Sequence, residues 1–260
     1  MRILQRLTIA LFVLVLFIFA GTKLYASRYI DRVPPVITCD DDVLEISVRA
    51  PERSLLRGVS ASDDRDGDLT EEVMVKGVTQ LITADTAKVT YVVFDSSNNM
   101  ATYSRTVRYT DYEKPHFSLS KGLVYPVGGS VTLLDRLTAT DVIDGDISDN
   151  IRVTTQNVTP NYEGVYNVTV QVTNSLGDTE SLPLKVVVSH YAPVNPPITL
   201  TDYILYLDQG ASFDPADYIS PDSDPTGIEI DSHVDTNTSG VYHVCYTSRT
   251  YMVYLTVVVK

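Results

Sequence analysis

The sequence is poor in the residues on which disulfide-rich, metal-centred and nucleic-acid-binding proteins depend. Its 260 residues include no Trp, two Cys and four His, and 20 Lys and Arg stand against 33 Asp and Glu. Two cysteines, Cys39 and Cys245, do not form a disulfide framework. A net charge of −13 repels phosphate backbones, so the composition argues against a nucleic-acid partner. It suits solubility outside a cell, or cation binding.

The sequence also lacks the motifs of common catalytic and nucleotide-binding sites. It contains no G-x-S-x-G, H-x-x-H or H-E-x-x-H pattern, and no Walker-type or dinucleotide-binding glycine loop. Paired acidic residues are too common along the chain to indicate a glycosidase. We therefore expect a protein that is not an enzyme and has no catalytic residues. We expect no cofactor, with calcium left open as a ligand.

One long apolar run is present, and it lies at the N-terminus. Leu7 to Thr22 is almost wholly apolar, with Arg2 and Arg6 before it and Lys23 after it. The run is shorter than the roughly 20 residues that span a bilayer core, but apolar neighbours on both sides extend it. Arg2 and Arg6 keep this end of the chain in the cytoplasm by the positive-inside rule.

Two interpretations of this segment remain open: a cleaved signal peptide and an uncleaved signal anchor. Cleavage after Ala26 would place Leu24 at the −3 position, where a small residue is preferred, and this poor match favours the anchor. We predict that residues 1–32 form a cytoplasmic stub, a transmembrane signal-anchor helix at about 7–26 and a short linker. The chain would then be a single-pass protein of the cell membrane, with its C-terminal part extracellular.

A motif occurs twice in the remaining chain. Ser60–Val73 aligns with Thr138–Ile151 at an offset of 78 residues, and both copies fit S/T-A-S/T-D-x-x-D-G-D-L/I-S/T-E/D-x-V/I. Self-similarity at a fixed period indicates a repeated structural unit.

Prolines mark the start of three such units. Val33-Pro34-Pro35 opens the first, Lys114-Pro115 the second and Asn195-Pro196-Pro197 the third. Proline fixes φ and blocks strand pairing, which suits a linker between β-domains. We predict domain 1 at residues 33–112, domain 2 at 113–191 and a divergent domain 3 at 192–260.

Each unit ends in two alternating strands around a turn. In the second unit Val168, Val170 and Val172 share one face, and polar residues share the other. This period-two pattern, beside Asn, Gly and Ser, predicts a β-hairpin with one buried side. No helical stretch is evident after Ser27. We predict an all-β fold: three tandem immunoglobulin-like β-sandwich domains behind one N-terminal transmembrane helix.

These motifs resemble a known family. The D-G-D-L/I-T/S motif, the Gly-Val-Tyr sequences that begin at Gly164 and Gly240, and the turn Asp95-Ser-Ser-Asn-Asn99 are similar to those of bacterial surface Ig-like repeats and hyalin-type repeats. Such repeats occur in surface proteins of Gram-positive bacteria and beside the toxin domains of some pesticidal crystal proteins. The resemblance covers residues 33–189 well and 193–260 weakly. It implies an extracellular array used as a spacer, adhesin stalk or binding module, without catalysis.

The acidic loops of the repeated motif carry the strongest chemical signal. The candidate calcium ligands in them are Asp63, Asp66, Asp68, Asp141, Asp144 and Asp146. Calcium prefers several carboxylate and carbonyl oxygens around one point, with Gly at a sharp turn; the complete twelve-residue EF-hand pattern is absent. The alternative interpretation is that Asp and Gly form ordinary turns, in which Asp side chains accept from local N–H groups.

Tyrosines are concentrated in the third unit. The candidate binding residues there, on a surface at the tip of the array, are Tyr203, Tyr206, Tyr218, Tyr251 and Tyr254. Tyr offers rigid, amphipathic contact area and is favoured at recognition surfaces. The alternative is ordinary strand composition.

Together these features predict a membrane-anchored extracellular Ig-like array that acts as a surface adhesion or interaction module. Its expected partners are the membrane, through the N-terminal helix, and an unknown surface protein or glycan. Two alternatives remain open: a purely structural envelope spacer, and an accessory or carbohydrate-binding partner of a neighbouring enzyme.

Overall fold

The computed structural model describes residues 2–29, 31–83, 85–223 and 227–260. Met1 and Ile30, which belong to the predicted stub and linker, lie outside the described residues. The described residues form one α-helix, α1 (Arg2–Tyr29), followed by strands and short 3-10 turns. The prediction of an all-β fold behind one N-terminal helix is confirmed. The chain divides into two compact units, Met1–Thr110 and Asp111–Lys260.

The first unit contains, after α1, two sheets around one hydrophobic core; we call this the first β-domain. Its strands are β1 (Val36–Cys39), β2 (Val43–Ile46), β3 (Val59–Asp63), β4 (Gly67–Asp68), β5 (Met74–Val78), β6 (Thr86–Phe94) and β7 (Met100–Tyr109). The sheet orders are β1-β3-β4 and β2-β7-β6-β5. Side chains alternate along β6 and β7, so Val89, Tyr91, Val93 and Val107 point inward and are fully buried.

A buried arginine is the main polar feature of this core. Arg105 is only 4 % exposed. Its Nε donates to the Tyr91 hydroxyl over 2.7 Å, and its Nη2 donates to the carbonyl oxygens of Leu55 and Arg57 over 2.8 and 2.6 Å. The Tyr91 hydroxyl donates to the same Leu55 carbonyl over 2.6 Å. These bonds join the 3-10 turn Glu52–Leu56 to the sheet.

The second unit begins with the same two-sheet arrangement, which we call the middle β-domain. Its strands are β8 (His116–Leu119), β9 (Val124–Pro126), β10 (Leu137–Asp141), β11 (Gly145–Asp146), β12 (Arg152–Gln156), β13 (Gly164–Thr173) and β14 (Thr179–Ser189). The sheet orders, β11-β10-β8 and β12-β13-β14-β9, match those of the first β-domain. Thr140 lies opposite His116, just as Ser62 lies opposite Val36. The sequence repeat is therefore a repeat of strand register.

The rest of the second unit is the C-terminal β-domain. Its strands are β15 (Ile204–Leu207), β16 (Ile228–Asp231), β17 (Gly240–Ser248) and β18 (Tyr251–Val259), in the order β15-β18-β17-β16. Among the described residues, the layer opposite this sheet has a single bridge between Leu200 and Ile219 and the 3-10 turn Pro215–Tyr218. The Tyr246 hydroxyl donates to the Pro215 carbonyl over 2.7 Å and holds that turn on the sheet.

The middle and C-terminal β-domains pack against each other within the second unit. The Phe117 N–H donates to the Tyr206 hydroxyl over 2.8 Å. A Cβ on Gly122 would lie 2.5 Å from Val253 Cγ2, so only glycine allows the two β-domains to come this close at that point.

Burial, with the positive charge of Lys185, lowers the pKa of His243 to about 4. His243 is therefore neutral at pH 7.

Replacing Arg105 with Leu should destabilise the first β-domain, because the Arg57 carbonyl and the Tyr91 hydroxyl lose their donor and the Leu55 carbonyl loses one of its two. A buried polar group left unpaired costs about 1–3 kcal/mol. The matched control is Arg108→Leu on the same strand, because its ion pair with Glu45 is about half exposed on both sides and such pairs contribute about 0–1 kcal/mol. Urea denaturation followed by tyrosine fluorescence and circular dichroism compares the two. Equal losses in the two variants would contradict the structural role of Arg105.

Candidate functional site

The D-x-x-D-G-D motif forms the same loop in the first two β-domains. Oδ1 of Asp63 accepts from the backbone N–H groups of Arg65 and Asp66 over 2.9 and 3.0 Å. Oδ1 of Asp141 accepts in the same way from Ile143 and Asp144 over 2.8 and 3.1 Å. The glycines that follow, Gly67 and Gly145, have φ of 78° and 72°, a left-handed conformation that glycine adopts without strain.

The second aspartate of the motif fastens the loop to the final hairpin. Asp66 accepts from the backbone N–H and the hydroxyl of Ser96 over 2.7 and 2.8 Å. Asp144 makes the same pair of bonds with Ser175, over 2.6 and 2.7 Å. The hairpin turn therefore lies beside the D-G-D loop in both β-domains.

The third aspartate of the motif caps the short turn that follows it. The hydroxyl and backbone N–H of Thr70 donate to Asp68 and lower its pKa, and those of Ser148 do the same for Asp146. Asp66, Asp68, Asp144 and Asp146 thus each accept hydrogen bonds from nearby protein donors.

Three carboxylates converge in the first β-domain. One oxygen from each of Asp31, Asp63 and Asp95 lies within 4.8 Å of the other two. Asp31 is 5 % exposed and Asp95 is 7 % exposed. The structure thus brings Asp63 together with residues from before β1 and from the hairpin turn, neither of which belongs to the motif.

The oxygens of this three-aspartate cluster (Asp31, Asp63 and Asp95) differ in their hydrogen bonding. Asp31 Oδ1 accepts from Val33 N–H over 2.9 Å, and Asp31 Oδ2 lies 3.6 Å from Nε of Arg65. Oδ1 of Asp95 accepts from the N–H groups of Ser97 and Asn99, and its Oδ2 accepts from the Asn99 amide. Oδ2 of Asp63 is buried and has no hydrogen-bond partner among the described residues. Hydrogen bonds from the backbone N–H groups of Asp66 and Arg65 lower the pKa of Asp63, so its carboxylate is ionised at neutral pH.

The middle β-domain has an amide where the first has Asp95. Asn174 Oδ1 accepts from the N–H four residues ahead, on Asp178, as Asp95 Oδ1 does from Asn99. Asn174 Nδ2 donates to Asp141 Oδ2 over 3.1 Å and to the Tyr112 hydroxyl over 2.8 Å. The Tyr112 hydroxyl donates in turn to Asp178 over 2.7 Å. Burial and this bond to Asp178 raise the pKa of Tyr112.

The five tyrosines proposed as a tip surface occupy different environments. Tyr203 and Tyr251 are buried in the core of the C-terminal β-domain, at 8 % and 5 % exposed. Tyr218 is half-buried and stacks on Phe213 with ring centroids 5.6 Å apart. Tyr254 is half-buried on β18, opposite Cys245 on β17. These four do not form one exposed surface, because Tyr203 and Tyr251 belong to the core.

Tyr206, the fifth, lines a cleft between the middle and C-terminal β-domains. The cleft has a volume of about 450 Å³, and Glu180 also lines it. The His116 ring meets the Tyr206 ring edge-on at 4.4 Å, and Lys260 Nζ lies 5.2 Å from the Tyr206 centroid. Burial raises the pKa of Tyr206 to about 12, so its hydroxyl stays protonated. The cleft therefore combines aromatic, cationic and acidic groups.

Comparison with known proteins finds similarity over parts of the chain. No family model matches. The chain is 33 % identical over 120 residues to the pesticidal crystal protein Cry22Aa of Bacillus thuringiensis, covering 42 % of this chain and 16 % of that protein. It is 34 % identical over 110 residues to an uncharacterized 81.3 kDa protein of Acholeplasma phage L2, covering 40 % and 15 %. The chain thus spans about a sixth of each relative's length. The first match agrees with the resemblance to repeats of pesticidal crystal proteins.

Solved structures give weaker likenesses. One contains the CBM51-2 and INT domains of Clostridium perfringens ZmpB, at 27 % identity and a TM-score of 0.24, covering 26 % of this chain and 14 % of that one. Another is the S-layer protein rSbsC(31-844), at 13 % identity and a TM-score of 0.20, covering 88 % and 40 %. TM-scores of this size support no argument about function.

Replacing Tyr112 with Phe should destabilise the middle β-domain, because Asn174 loses an acceptor and Asp178 loses a donor. We expect a loss of about 1–3 kcal/mol in the free energy of unfolding. The matched control is Tyr162→Phe, since the side chain of Tyr162 belongs to the same unit and is 70 % exposed. Calorimetric melting of both variants measures the difference. A Tyr112→Phe protein as stable as the control would show that the Asn174–Tyr112–Asp178 chain is dispensable.

Proposed function

We propose that the chain is a membrane-anchored extracellular array of β-domains that acts as a surface interaction module and performs no catalysis. One observation carries the anchoring part of the proposal. Gln5–Tyr25 is a helical stretch long and apolar enough to cross a membrane, and none of it is buried against other described parts of the chain. Membrane anchors and signal sequences share these properties of length and composition.

The apolar surface of this helix is large. Phe12, Phe17 and Phe19 are 66 %, 74 % and 60 % exposed. Leaving such side chains in water costs about 25 cal/mol for each Å² of apolar surface. Lipid removes that cost without a protein partner, and the basic residues Arg2 and Arg6 favour a cytoplasmic N-terminus. The β-domains then lie outside, where their acidic surface keeps them soluble.

The cleft beside Tyr206 supports the interaction part of the proposal. Its volume of about 450 Å³ falls within the range of about 300–1,000 Å³ that is usual for small-ligand sites. An aromatic ring beside charged and hydrogen-bonding groups suits a sugar ring or a peptide side chain, because both present an apolar face and polar edges. We assign the contact to a glycan or surface protein at this cleft, with Tyr206 as its central residue.

A structural envelope spacer is the second candidate, and a different observation favours it. Leu119 and Val124 of the middle β-domain pack against the core of the C-terminal β-domain. Ile204 belongs to the core of the middle β-domain. Such shared packing makes the second unit stiff, which is what a spacer requires.

Replacing Leu14 with Arg should abolish stable membrane insertion, because a charge at the centre of a spanning helix costs about 2.5–3.5 kcal/mol. The wild-type chain, expressed in a bacterial host, should remain in the membrane fraction after carbonate extraction and retain its first 26 residues. The control is Leu134→Arg at a site 49 % exposed in the middle β-domain, and it should fractionate like the wild type. A wild-type chain that begins at Ser27 and is recovered outside the membrane would show a signal peptide instead.

Screening the full chain in detergent against glycan and peptide arrays tests the interaction module. Replacing Tyr206 with Leu should weaken any retained binding at least roughly tenfold, a loss of about 1.4 kcal/mol, because the aromatic wall of the cleft is removed. Tyr162→Leu is the control on an exposed surface of the same unit. Binding that survives Tyr206→Leu places the contact elsewhere, and the absence of any binding favours the spacer.

A further inference from the structure

We propose that Asp31, Asp63 and Asp95 bind one divalent cation, Ca²⁺, in the first β-domain. This proposal goes beyond the interaction module, since the cluster lies in the first unit and the Tyr206 cleft in the second. It also differs from the calcium sites expected from the sequence, because only Asp63 of the D-x-x-D-G-D motif belongs to the cluster. Three independent observations carry it.

The first observation is a buried oxygen without a donor. Asp63 Oδ2 is inaccessible to solvent and accepts no hydrogen bond from the part of the chain that the structure describes, while Oδ1 of the same carboxylate accepts two. A buried carboxylate oxygen that is left unpaired is strongly destabilising. A cation at the meeting point of the three carboxylates would satisfy it.

The second observation is the charge of the cluster. Three carboxylates meet there, and two of them are more than nine-tenths buried. Among the described residues, Arg65 forms an ion pair with the cluster: its Nε is 3.6 Å from Asp31 Oδ2, and its side chain is 43 % exposed. One partly solvated guanidinium at that distance leaves most of the negative charge uncompensated.

The third observation is the middle β-domain, where the chain shows what fills the corresponding position. Asn174 stands in place of Asp95, and its amide donates directly to Oδ2 of Asp141, the counterpart of Asp63. In the middle β-domain this position therefore carries a hydrogen-bond donor, the Asn174 amide. In the first β-domain it carries a third carboxylate, that of Asp95. An exogenous cation in the first β-domain would play the part that the Asn174 amide plays in the middle one.

The ligand atoms indicate the class of ion. All are carboxylate oxygens, which suit hard cations such as Ca²⁺ and Mg²⁺ better than the softer transition metals. Ca²⁺–oxygen distances of about 2.3–2.6 Å place two ligands of one ion no more than about 4.6–5.2 Å apart, and the cluster oxygens lie within 4.8 Å of one another. Ca²⁺ also tolerates irregular geometry and water ligands, whereas Mg²⁺ demands a near-ideal octahedron. Ligands from a pre-strand segment, the end of β3 and a hairpin turn suit the more tolerant ion.

Calorimetric titration of the chelator-treated full chain with CaCl₂ tests the proposal, with MgCl₂ as the second arm. We expect one saturable calcium site that Asp95→Asn weakens at least roughly tenfold. The matched control is Asp68→Asn, which removes a negative charge from the same motif outside the cluster and should change the affinity less than about twofold. An absence of saturable calcium binding, or equal affinities in wild type and Asp95→Asn, overturns the proposal. So does tighter binding of Mg²⁺ than of Ca²⁺.

Stability measurements distinguish a cation site from a cluster whose negative charge Arg65 already neutralises. Calcium should raise the melting temperature of the wild type, because a ligand that binds only the folded state stabilises it. In chelator, Asp95→Asn should melt above the wild type, since like charges are removed and the new amide can donate to Asp63 as Asn174 does to Asp141. A wild type whose melting is unchanged by calcium, or an Asp95→Asn protein that melts lower in chelator, counts against the site.

Hydrogen exchange locates the effect without any variant. Calcium should slow amide exchange in the peptides that contain residues 31–33, 63–67 and 95–99, and leave those containing 141–145 and 174–178 unchanged. The reciprocal variant Asn174→Asp should speed exchange of the latter peptides in chelator, because it places a carboxylate against Asp141. Equal protection of both loop sets by calcium would contradict the assignment to the first β-domain alone.

Discussion

The first aspartate of the repeated motif, Asp63 or Asp141, has one side-chain oxygen that the turn leaves without a donor. The groups that meet beside it, in the first and in the middle β-domain, depend on how that oxygen is paired. Oδ1 of this aspartate accepts two backbone N–H groups and thereby shapes the turn, which leaves Oδ2 without a backbone donor of the turn. That oxygen is buried, so it needs a partner. In the middle β-domain Asn174 is that partner. In the first β-domain Asp95 occupies the position, and its carboxylate cannot donate.

The two ways of pairing the buried oxygen make the stability of the two β-domains depend differently on the surrounding medium. An amide partner belongs to the chain, so the middle β-domain is complete as folded. The proposed cation would come from the medium, so we expect the first β-domain to gain this stabilisation only where that cation is abundant. If the chain is anchored as we propose, the first β-domain is the one next to the membrane segment in sequence. Calcium outside the cell would then stabilise the part of the array nearest to the anchor.

The sequence predicts those parts of the structure that local chemistry determines. The D-x-x-D-G-D loops, the Asn- and Gly-rich turns and the alternating strands all follow from side chains within a few residues of one another. The three-aspartate cluster does not, because Asp31 and Asp95 flank Asp63 at 32 residues on either side and meet it only through strand pairing. One signal was available: extending the repeat alignment past the motif, with one residue inserted in the second copy, sets Asp95 against Asn174. The burial of Tyr203, Tyr251 and Arg105 has no comparable local signal, since composition does not show which face of a strand is covered.

The most direct test is a crystal structure of the chain grown with Ca²⁺, with anomalous scattering recorded at long wavelength. We expect an anomalous peak about 2.3–2.6 Å from oxygens of Asp31, Asp63 and Asp95, and no peak beside Asn174. A cluster without a peak, with the Arg65 guanidinium or a water molecule bound to Asp63 Oδ2, would show that the first β-domain satisfies its buried carboxylate without a metal ion.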